Sequence, residues 1–132
     1  MTYALDTNVI SGWLSRNMQI IEKLSDALRQ GHTIVIPPVV YYELRRGFKH
    51  RAVPGKERAF ALICQSCEIG EMTIAAWETA ADIYAQTRKA GFPIDDGDIL
   101  ISAFCVVNNY ILITYNTRHF ERIEGLRLGN WV

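Results

Sequence analysis

The sequence predicts an α/β protein, a three-layer α/β/α sandwich around a central, mostly parallel sheet of four to five strands. Two segments, "TIVI" and "YILITY", are nearly all apolar, which is typical of strands that helices cover on both faces. Segments with helical periodicity separate the strands along the chain, as a parallel sheet requires. No linker, repeat or low-complexity tract interrupts the 132 residues, so we expect a single domain over 1–132.

The first half of the chain alternates between strands and helices. "YALDTN" begins as a short apolar strand and leads into a helix over "TNVISGWL". Residues 18–30 predict a second helix that ends at Gly31, a typical C-cap residue. "TIVIPPVV" contains the next strand, and Pro37 and Pro38 stop it and open a third helix. The face of the second helix that we expect to be buried consists of Ile20, Ile21, Leu24, Ala27 and Leu28.

The second half continues this alternation. A helix is expected at about 55–66, followed by a short strand near "EIGEMT". Residues 74–90 predict a further helix, with Thr73 as its N-cap and Gly91 after its last turn. Its expected buried face consists of Ile74, Trp77, Ala81 and Tyr84. Another helix begins within "PIDDGDILISAF", and the strand "YILITY", a helical turn at "TRHFERI" and an edge strand at "LRLGNW" follow.

The charge balance argues against bulk binding to nucleic acid. Lys and Arg number 14 and Asp and Glu number 14, so any polyanion must bind at a local site. The uncharged run over 99–117 is interrupted by polar residues such as Ser102 and Asn108, so a membrane span is rejected. No secretory signal is visible, and the expected location is cytoplasmic.

The cysteines do not form a disulfide framework in a chain of this size. Cys64 and Cys67 have a C-x-x-C spacing, but no second such pair and no flanking histidine supports a zinc site. Both lie at the apolar end of a predicted helix, so buried structural thiols are favoured, with a redox pair as the alternative.

Three carboxylates lie near the starts of three predicted helices. Asp6 follows the first strand, where its alternative role is helix capping. Glu43 lies on the apolar stripe of the helix opened by the two prolines, where the alternative is a buried salt bridge. Asp98 shares a face with apolar residues of its helix, whereas Asp95 or Asp96 is explained as an N-cap or first-turn acid.

A divalent cation would explain why these acids tolerate one another. Functional groups gather beyond the carboxyl ends of parallel strands, so Asp6, Glu43 and Asp98 are expected to converge there. Two charges about 4 Å apart repel by about 4 kcal/mol at an effective dielectric of about 20. Either the pKa values of these carboxyls rise or a cation lies between them. With oxygen ligands only, Mg²⁺ or Mn²⁺ is favoured over zinc, which predicts a catalytic magnesium site.

Four segments also resemble a known family. "LDTNVIS", "YYELRRG" around Glu43, "PIDDGDILISA" around Asp98 and "LITYNTRHFERIEGLRLGNW" are together similar to PIN-domain ribonucleases, and specifically to the VapC toxins of type II toxin–antitoxin systems. The resemblance implies a PIN-like fold and a metal-dependent endoribonuclease with Asp6, Glu43 and Asp98 as acidic ligands. It also implies a cognate antitoxin and a homodimer. One difference is Asn116, which stands where many PIN domains carry an Asp and brings no charge for a second ion.

The remaining polar groups of these motifs are assigned accessory roles. Bound Mg²⁺ is expected to activate a water for in-line attack on an RNA phosphodiester. Thr7, Asp96 and Asn116 are expected to be accessory groups, and Ser102 is expected to orient Asp98.

Basic residues flank the same motifs. Phosphate contacts are assigned to three arginines, each with a solvated helix surface as its alternative role: Arg45, Arg46 and Arg118. His119 is expected to have a surface or packing role, because no carboxylate near it in the sequence would tune it.

Two other functions are considered. A phosphatase or phosphoreceiver would need a D-x-D pair, which Asn8 breaks, and a lysine after "LITY", which the sequence lacks. The second alternative is a catalytically silent PIN-like module that binds RNA or a protein partner. Binding without cleavage would distinguish that module from the nuclease.

Overall fold

A five-stranded parallel sheet forms the centre of the molecule in the computed structural model, which describes residues 1–131. The strand order is β3-β2-β1-β4-β5, and every neighbouring pair is parallel. The strands are β1 (Thr2–Leu5), β2 (Thr33–Ile36), β3 (Glu68–Ile69), β4 (Ile111–Ile113) and β5 (Arg127–Gly129). The predicted α/β class with helices flanking a central parallel sheet is confirmed.

Helices connect the strands and follow the signals in the sequence. They are α1 (Thr7–Leu14), α2 (Met18–Arg29), α3 (Pro38–His50), α4 (Pro54–Ser66), α5 (Ile74–Lys89), α6 (Asp96–Asn108) and α7 (Thr117–Phe120). Thr73 caps α5 as predicted, because its hydroxyl accepts from the Ala76 N–H at 3.1 Å. Pro38 opens α3, and Gly91 follows α5 with a positive φ of 79°. Over residues 1–131 no helix is both long and apolar enough to cross a membrane.

The central strands are buried, as their apolar sequences predict. The core includes Ala4 and Leu5 of β1, Ile34, Val35 and Ile36 of β2, and Leu112 and Ile113 of β4. Side chains alternate between the two faces of a strand, so burial of consecutive residues requires cover on both faces of the sheet. The covered sheet leaves its carboxyl edge as the place where polar groups can gather.

The buried face of α5 differs from the prediction. Ile74 is 78% exposed and Trp77 is 50% exposed, whereas a stripe of smaller residues faces the core. That buried stripe consists of Ala76, Ala80, Ile83 and Thr87. The helix carries two apolar stripes, and α5 packs mainly against α6, where small side chains let two helix backbones approach closely. Ala81 and Tyr84, also predicted to be buried, are exposed as well.

The buried face of α2 is narrower than predicted. Ile20, Leu24 and Ala27 are buried, but Leu28 is 41% exposed. The buried positions follow one line along the helix, and Leu28 lies beside that line.

The C-x-x-C cysteines lie at the end of α4 as free, half-buried thiols. Burial raises the pKa of the Cys67 thiol to about 11. Because the thiolate is the reactive form, burial keeps this cysteine unreactive at neutral pH, in line with a structural role.

Candidate functional site

Asp6 is held rigidly at the carboxyl end of the central strand. Its backbone N–H donates to the Ile113 carbonyl of β4 at 2.9 Å, which extends the pairing of β1 and β4 up to this residue. One carboxylate oxygen accepts from the Thr7 N–H at 2.7 Å, so Asp6 caps α1. The other oxygen accepts from the Thr114 hydroxyl, also at 2.7 Å. Only 5% of Asp6 is exposed, so these protein donors, rather than solvent, hold its two carboxylate oxygens.

Glu43 approaches the same region from α3. The Thr7 hydroxyl donates to Glu43 Oε1 at 2.9 Å, and Thr7 directly follows Asp6. A Cβ atom added at Gly97 would lie 3.3 Å from Glu43 Oε2, so the first turn of α6 passes close to this carboxylate. The alternative role of a buried salt bridge fits poorly, because the nearest cation is the exposed Arg46 at 3.9 Å. Glu43 therefore reaches the site with one oxygen held and one weakly paired.

Asp98 lies in the first turn of α6 and its side chain is 25% exposed. Its Oδ2 atom is 3.4 Å from Nδ1 of His119, which follows β4 on α7. Its backbone carbonyl accepts from the Ser102 hydroxyl at 2.7 Å. The role predicted for Ser102, to orient Asp98, would therefore act through the backbone, because a serine one turn later in a helix reaches the preceding carbonyl.

The electrostatics tie Asp6 to Asp98. Burial raises the pKa of the Asp6 carboxyl, while the Thr114 and Thr7 hydrogen bonds and the nearby His119 oppose that rise. Burial also raises the pKa of Asp98, the charge of Asp6 raises it further, and His119 opposes both effects. The two acids therefore lie close enough to repel each other, and removing them from water makes both charges costly.

The three acids do not form a ready-made ligand set. Within residues 1–131 no three His, Cys, Asp or Glu side chains are grouped closely enough to hold a metal ion. The structure instead brings Asp6 and Asp98 into electrostatic contact and links Glu43 to them through Thr7 and Gly97.

The other predicted accessory residues lie around this centre. Asp96 is exposed in the first turn of α6, and Asp95 takes the N-cap position without a side-chain hydrogen bond. Asn116 is exposed, and its backbone N–H donates to the Thr114 hydroxyl at 3.0 Å. The buried Thr114 hydroxyl thus accepts one hydrogen bond from the backbone beyond β4 and donates one to Asp6, so its hydrogen-bonding capacity is used.

Sequence reasoning missed the roles of Thr114 and His119. The signal for Thr114 is a buried hydroxyl directly after an apolar strand. His119 is exposed, which fits the surface role predicted for it, but its contact with Asp98 was missed because Asp98 comes from another element of the chain. The Thr114 contact follows from the pairing of β1 with β4, and the His119 contact follows from the packing of α6 against α7. Neither neighbourhood can be read from the sequence.

The predicted RNA-binding arginines have different surroundings. Arg45 lies 3.8 Å from Glu57 on α4, so it is partly paired. Arg46 stacks over the ring of Tyr42, with its Cζ atom 5.2 Å from the ring centroid. Arg118 is exposed and lines a cavity that Asp98 also lines. Arg46 and Arg118 therefore lie nearest to the carboxylates.

A parallel α/β fold with acids gathered at its carboxyl edge is the organisation of a PIN domain. The sequence profile described as "PIN domain" matches residues 3–126, and the chain belongs to this family. Ribonucleases of this family generally depend on divalent metal ions.

The relatives of this chain narrow that class. Ribonuclease VapC2 of Rickettsia felis is 25% identical over 99% of this chain and 98% of its own length. Ribonuclease VapC2 of Haemophilus influenzae is 29% identical over 100% of this chain and 99% of its own length. Among solved structures, VapBC-1 from nontypeable Haemophilus influenzae is similar with a TM-score of 0.88 and 26% identity, covering 99% of this chain and 98% of that chain.

Proposed function

We propose that this PIN domain is a VapC-type toxin, an endoribonuclease that hydrolyses RNA phosphodiesters with the help of a divalent metal ion. The observation that carries the proposal is the gathering of acids at the carboxyl edge of the sheet: Asp6 follows β1, Thr7 links it to Glu43, and the charge of Asp6 raises the pKa of Asp98. Asp6 and Asp98 are poorly suited to stabilising a fold, because both charges are partly desolvated and neither has a salt bridge to Lys or Arg among residues 1–131. The full-length similarity to ribonucleases named VapC supports the same activity.

The residues present fit Mg²⁺, or Mn²⁺, better than a softer metal. Asp6, Glu43 and Asp98 offer only carboxylate oxygens, which are the ligands these hard cations prefer. A bound ion would cancel the repulsion between Asp6 and Asp98. If bound, the ion would supply a lowered pKa for water and stabilisation of negative charge on the phosphodiester.

The chain's own contribution is to hold the carboxylates of Asp6 and Glu43 in advance. Thr114 and the Thr7 N–H fix Asp6, and the Thr7 hydroxyl fixes Glu43. Donors that already hold Asp6 and Glu43 need little rearrangement at the moment of reaction, which favours catalysis, whereas Asp98 would have to adjust to the ion. Asn116 and Asp96, both exposed near the acids, serve as accessory groups that interact with solvent or substrate.

Three arginines are proposed to contact the phosphates of the RNA. Arg118 and Arg46 lie beside the carboxylates, and Arg45 follows at the outer edge, where Glu57 competes for it. Because the chain has a net charge of zero, binding depends on these local cations rather than on the whole surface.

A cognate antitoxin is the proposed partner, and the solved VapBC-1 structure, to which this chain is similar, supports it. We also propose a homodimer. The exposed start of α5, defined by Ile74 and Trp77, is an apolar surface that a second copy of the chain would cover. Sedimentation of the wild type and of Trp77→Glu measures this, and a wild-type monomer contradicts it. The toxin is proposed to act on cytoplasmic RNA as one domain.

Cleavage of RNA tests the proposed function directly. Purified protein should cleave single-stranded RNA in Mg²⁺ or Mn²⁺ and stop when EDTA is added. Asp6→Asn, Glu43→Gln and Asp98→Asn should each lower the rate by about a hundredfold or more, because each removes a charge that the reaction needs. Asp82→Asn, at an exposed acid on α5, is the matched control and should keep wild-type activity.

Two outcomes would contradict the proposal. Full activity in EDTA would exclude metal dependence, and full activity in all three carboxylate variants would exclude the site. Tight RNA binding without cleavage under any metal would instead select the catalytically silent binding module.

A further inference from the structure

A cavity of about 360 Å³ opens beside the acidic site. The loop between α5 and α6 forms one wall, with Phe92, Pro93 and Ile94. Asp98 and His119 close the end next to the catalytic carboxylates, and arginines on and after α7 line the other side. Small-ligand pockets commonly have volumes of about 300–1,000 Å³, so this cavity can hold a group of moderate size.

Phe92 presents an aromatic ring that the core does not use. The side chain is among the exposed large apolar residues, at 42% exposure. Its backbone is nevertheless fixed, because the Phe92 N–H donates to the Thr87 carbonyl at 2.8 Å and the Gly91 N–H donates to the Arg88 carbonyl at 3.1 Å. This is the Schellman ending of α5, which requires the positive φ of Gly91. The ring therefore stands on a rigid element while remaining accessible.

Arg122 packs on this ring. Its Cζ atom lies 3.3 Å from the Phe92 ring centroid, a close cation–π contact. Neither Arg122 nor Arg118 forms an ion pair with a carboxylate in the part of the chain that the structure describes. The cavity thus combines an aromatic–guanidinium stack with two unpaired cations, close to the acid proposed to act on a phosphodiester.

This combination matches the chemistry of a single unpaired nucleotide. Nucleobases stack on aromatic rings and on guanidinium planes, and the phosphates on either side of a base attract arginine. A folded protein helix would bring a larger apolar surface than one ring provides. The carboxylates of Asp95 and Glu121, which also line the cavity, can accept hydrogen bonds from the amino groups of a base.

We propose that this cavity is a base-binding subsite: one nucleotide next to the cleaved phosphodiester packs its base against the Phe92–Arg122 pair. The proposal rests on the proposed ribonuclease function and deepens it, because it names the residues that position the RNA strand. Phe92 and Arg122 act on the substrate by positioning it, while the carboxylates act on the reacting phosphate.

The first experiment removes the base and the ring separately. Cleavage mapping with the wild type identifies the cleaved phosphodiester, and oligoribonucleotides of that sequence are then made with one abasic ribose at each flanking position. One abasic position should raise the KM of the wild type about tenfold, the size expected for one lost base stack, with kcat little changed. Phe92→Ala should raise the KM for the intact RNA equally, and the two changes together should add little more. Phe92→Trp should keep the wild-type KM.

Tyr84 provides a matched control. It is 45% exposed, and Arg88 stacks over its ring with the Cζ atom 4.7 Å from the centroid, but it does not line the cavity. Tyr84→Ala should leave the KM unchanged. Equal effects of Phe92→Ala and Tyr84→Ala, or an undiminished abasic penalty in Phe92→Ala, would overturn the subsite.

A binding measurement separates this proposal from the proposed function. Oligoribonucleotides carrying 2-aminopurine at successive positions should lose fluorescence on binding the wild type at one position, and Phe92→Ala should abolish that loss. If the wild type never cleaves RNA but quenching still depends on Phe92, the subsite stands and the nuclease assignment fails. If RNA is cleaved and no position is quenched through Phe92, the nuclease stands and the subsite fails.

Discussion

The end of β1 and the start of α6 each present an aspartate to the same hollow, but they hold it in different ways. Asp6 is 5% exposed, and backbone and side-chain donors occupy both of its oxygens. Asp98 has a side chain that is 25% exposed, and its carboxylate contacts only the exposed His119 side chain, at 3.4 Å, among the ion pairs of residues 1–131. The first acid is fixed by the fold, whereas the second keeps the freedom to respond to what binds.

This difference separates a structural part of the site from an adjustable part. A carboxylate fixed by two hydrogen bonds gives a reference point that survives changes in solvent. A carboxylate with few partners can rotate toward a cation and release its repulsion. Three experiments test this difference between Asp6 and Asp98. They add Mg²⁺, remove hydroxyl donors to the carboxylates, and place a methyl group next to Glu43.

The largest effect is expected from Mg²⁺ on stability. The folded-state pKa of Asp98 is raised, so without metal its contribution to stability is fully present below the unfolded pKa and is lost as the pH rises through the folded pKa. Mg²⁺ at a hundred times its Kd should add about 2.7 kcal/mol at neutral pH. Thermal unfolding at several pH values, with Mg²⁺ or with EDTA, measures this.

Asp98→Asn is the informative variant for that experiment. It should unfold at a higher temperature than the wild type in EDTA at neutral pH and gain little from Mg²⁺, while Asp82→Asn should respond like the wild type. An equal gain from Mg²⁺ in Asp98→Asn would show that the ion binds elsewhere.

The second effect concerns the donors of the fixed acid. Thr114→Val leaves an oxygen of Asp6 buried without a donor, and this should lower the free energy of unfolding by about 1–3 kcal/mol. Thr7→Val removes the hydroxyl bound to the more accessible Glu43 and should cost less. Urea unfolding at neutral pH compares the two variants. If Thr7→Val lowered the free energy of unfolding more than Thr114→Val, Asp6 would not be the more firmly fixed acid.

The smallest effect is expected at Gly97. A methyl group there would lie 3.3 Å from Glu43 Oε2 and would move the carboxylate, so Gly97→Ala should lower the rate of RNA cleavage about tenfold. Its stability should be equal or higher, because alanine favours helix over glycine by up to about 1 kcal/mol. Gly55→Ala is the matched control, since Gly55 is also the second residue of its helix and has open space around it. Equal activity in both variants would mean that Glu43 need not stay where it lies.

Much of the fold could be predicted because local signals determine it. Pro38, Thr73 and Gly91 mark helix ends through backbone geometry and capping, which act over a few residues. The nearly all-apolar sequences of the central strands likewise indicate that both of their faces are buried. The face of α5 could not be predicted, because either of two apolar stripes could have been buried and the choice depends on α6.

The site residues also divide into those with a local sequence signal and those that depend on tertiary contacts. Asp6, Glu43 and Asp98 could be selected because each acid stands where an apolar segment should continue. Their exact roles stay predictions until the cleavage experiments are made. Thr114 and His119 could not be selected, because their partners come from elements distant in sequence and only the strand order brings them together.

The position of Asp6 after the central strand also affects how the protein would lose activity during partial opening. The outer strands β3 and β5 contain two and three residues and lie at the two margins of the sheet. Fraying there would expose amide hydrogens to exchange with solvent long before the hydrogen bond between Asp6 and Ile113 breaks. The edge strands can therefore open locally, or be cut by a protease, while the carboxylate of Asp6 keeps its position.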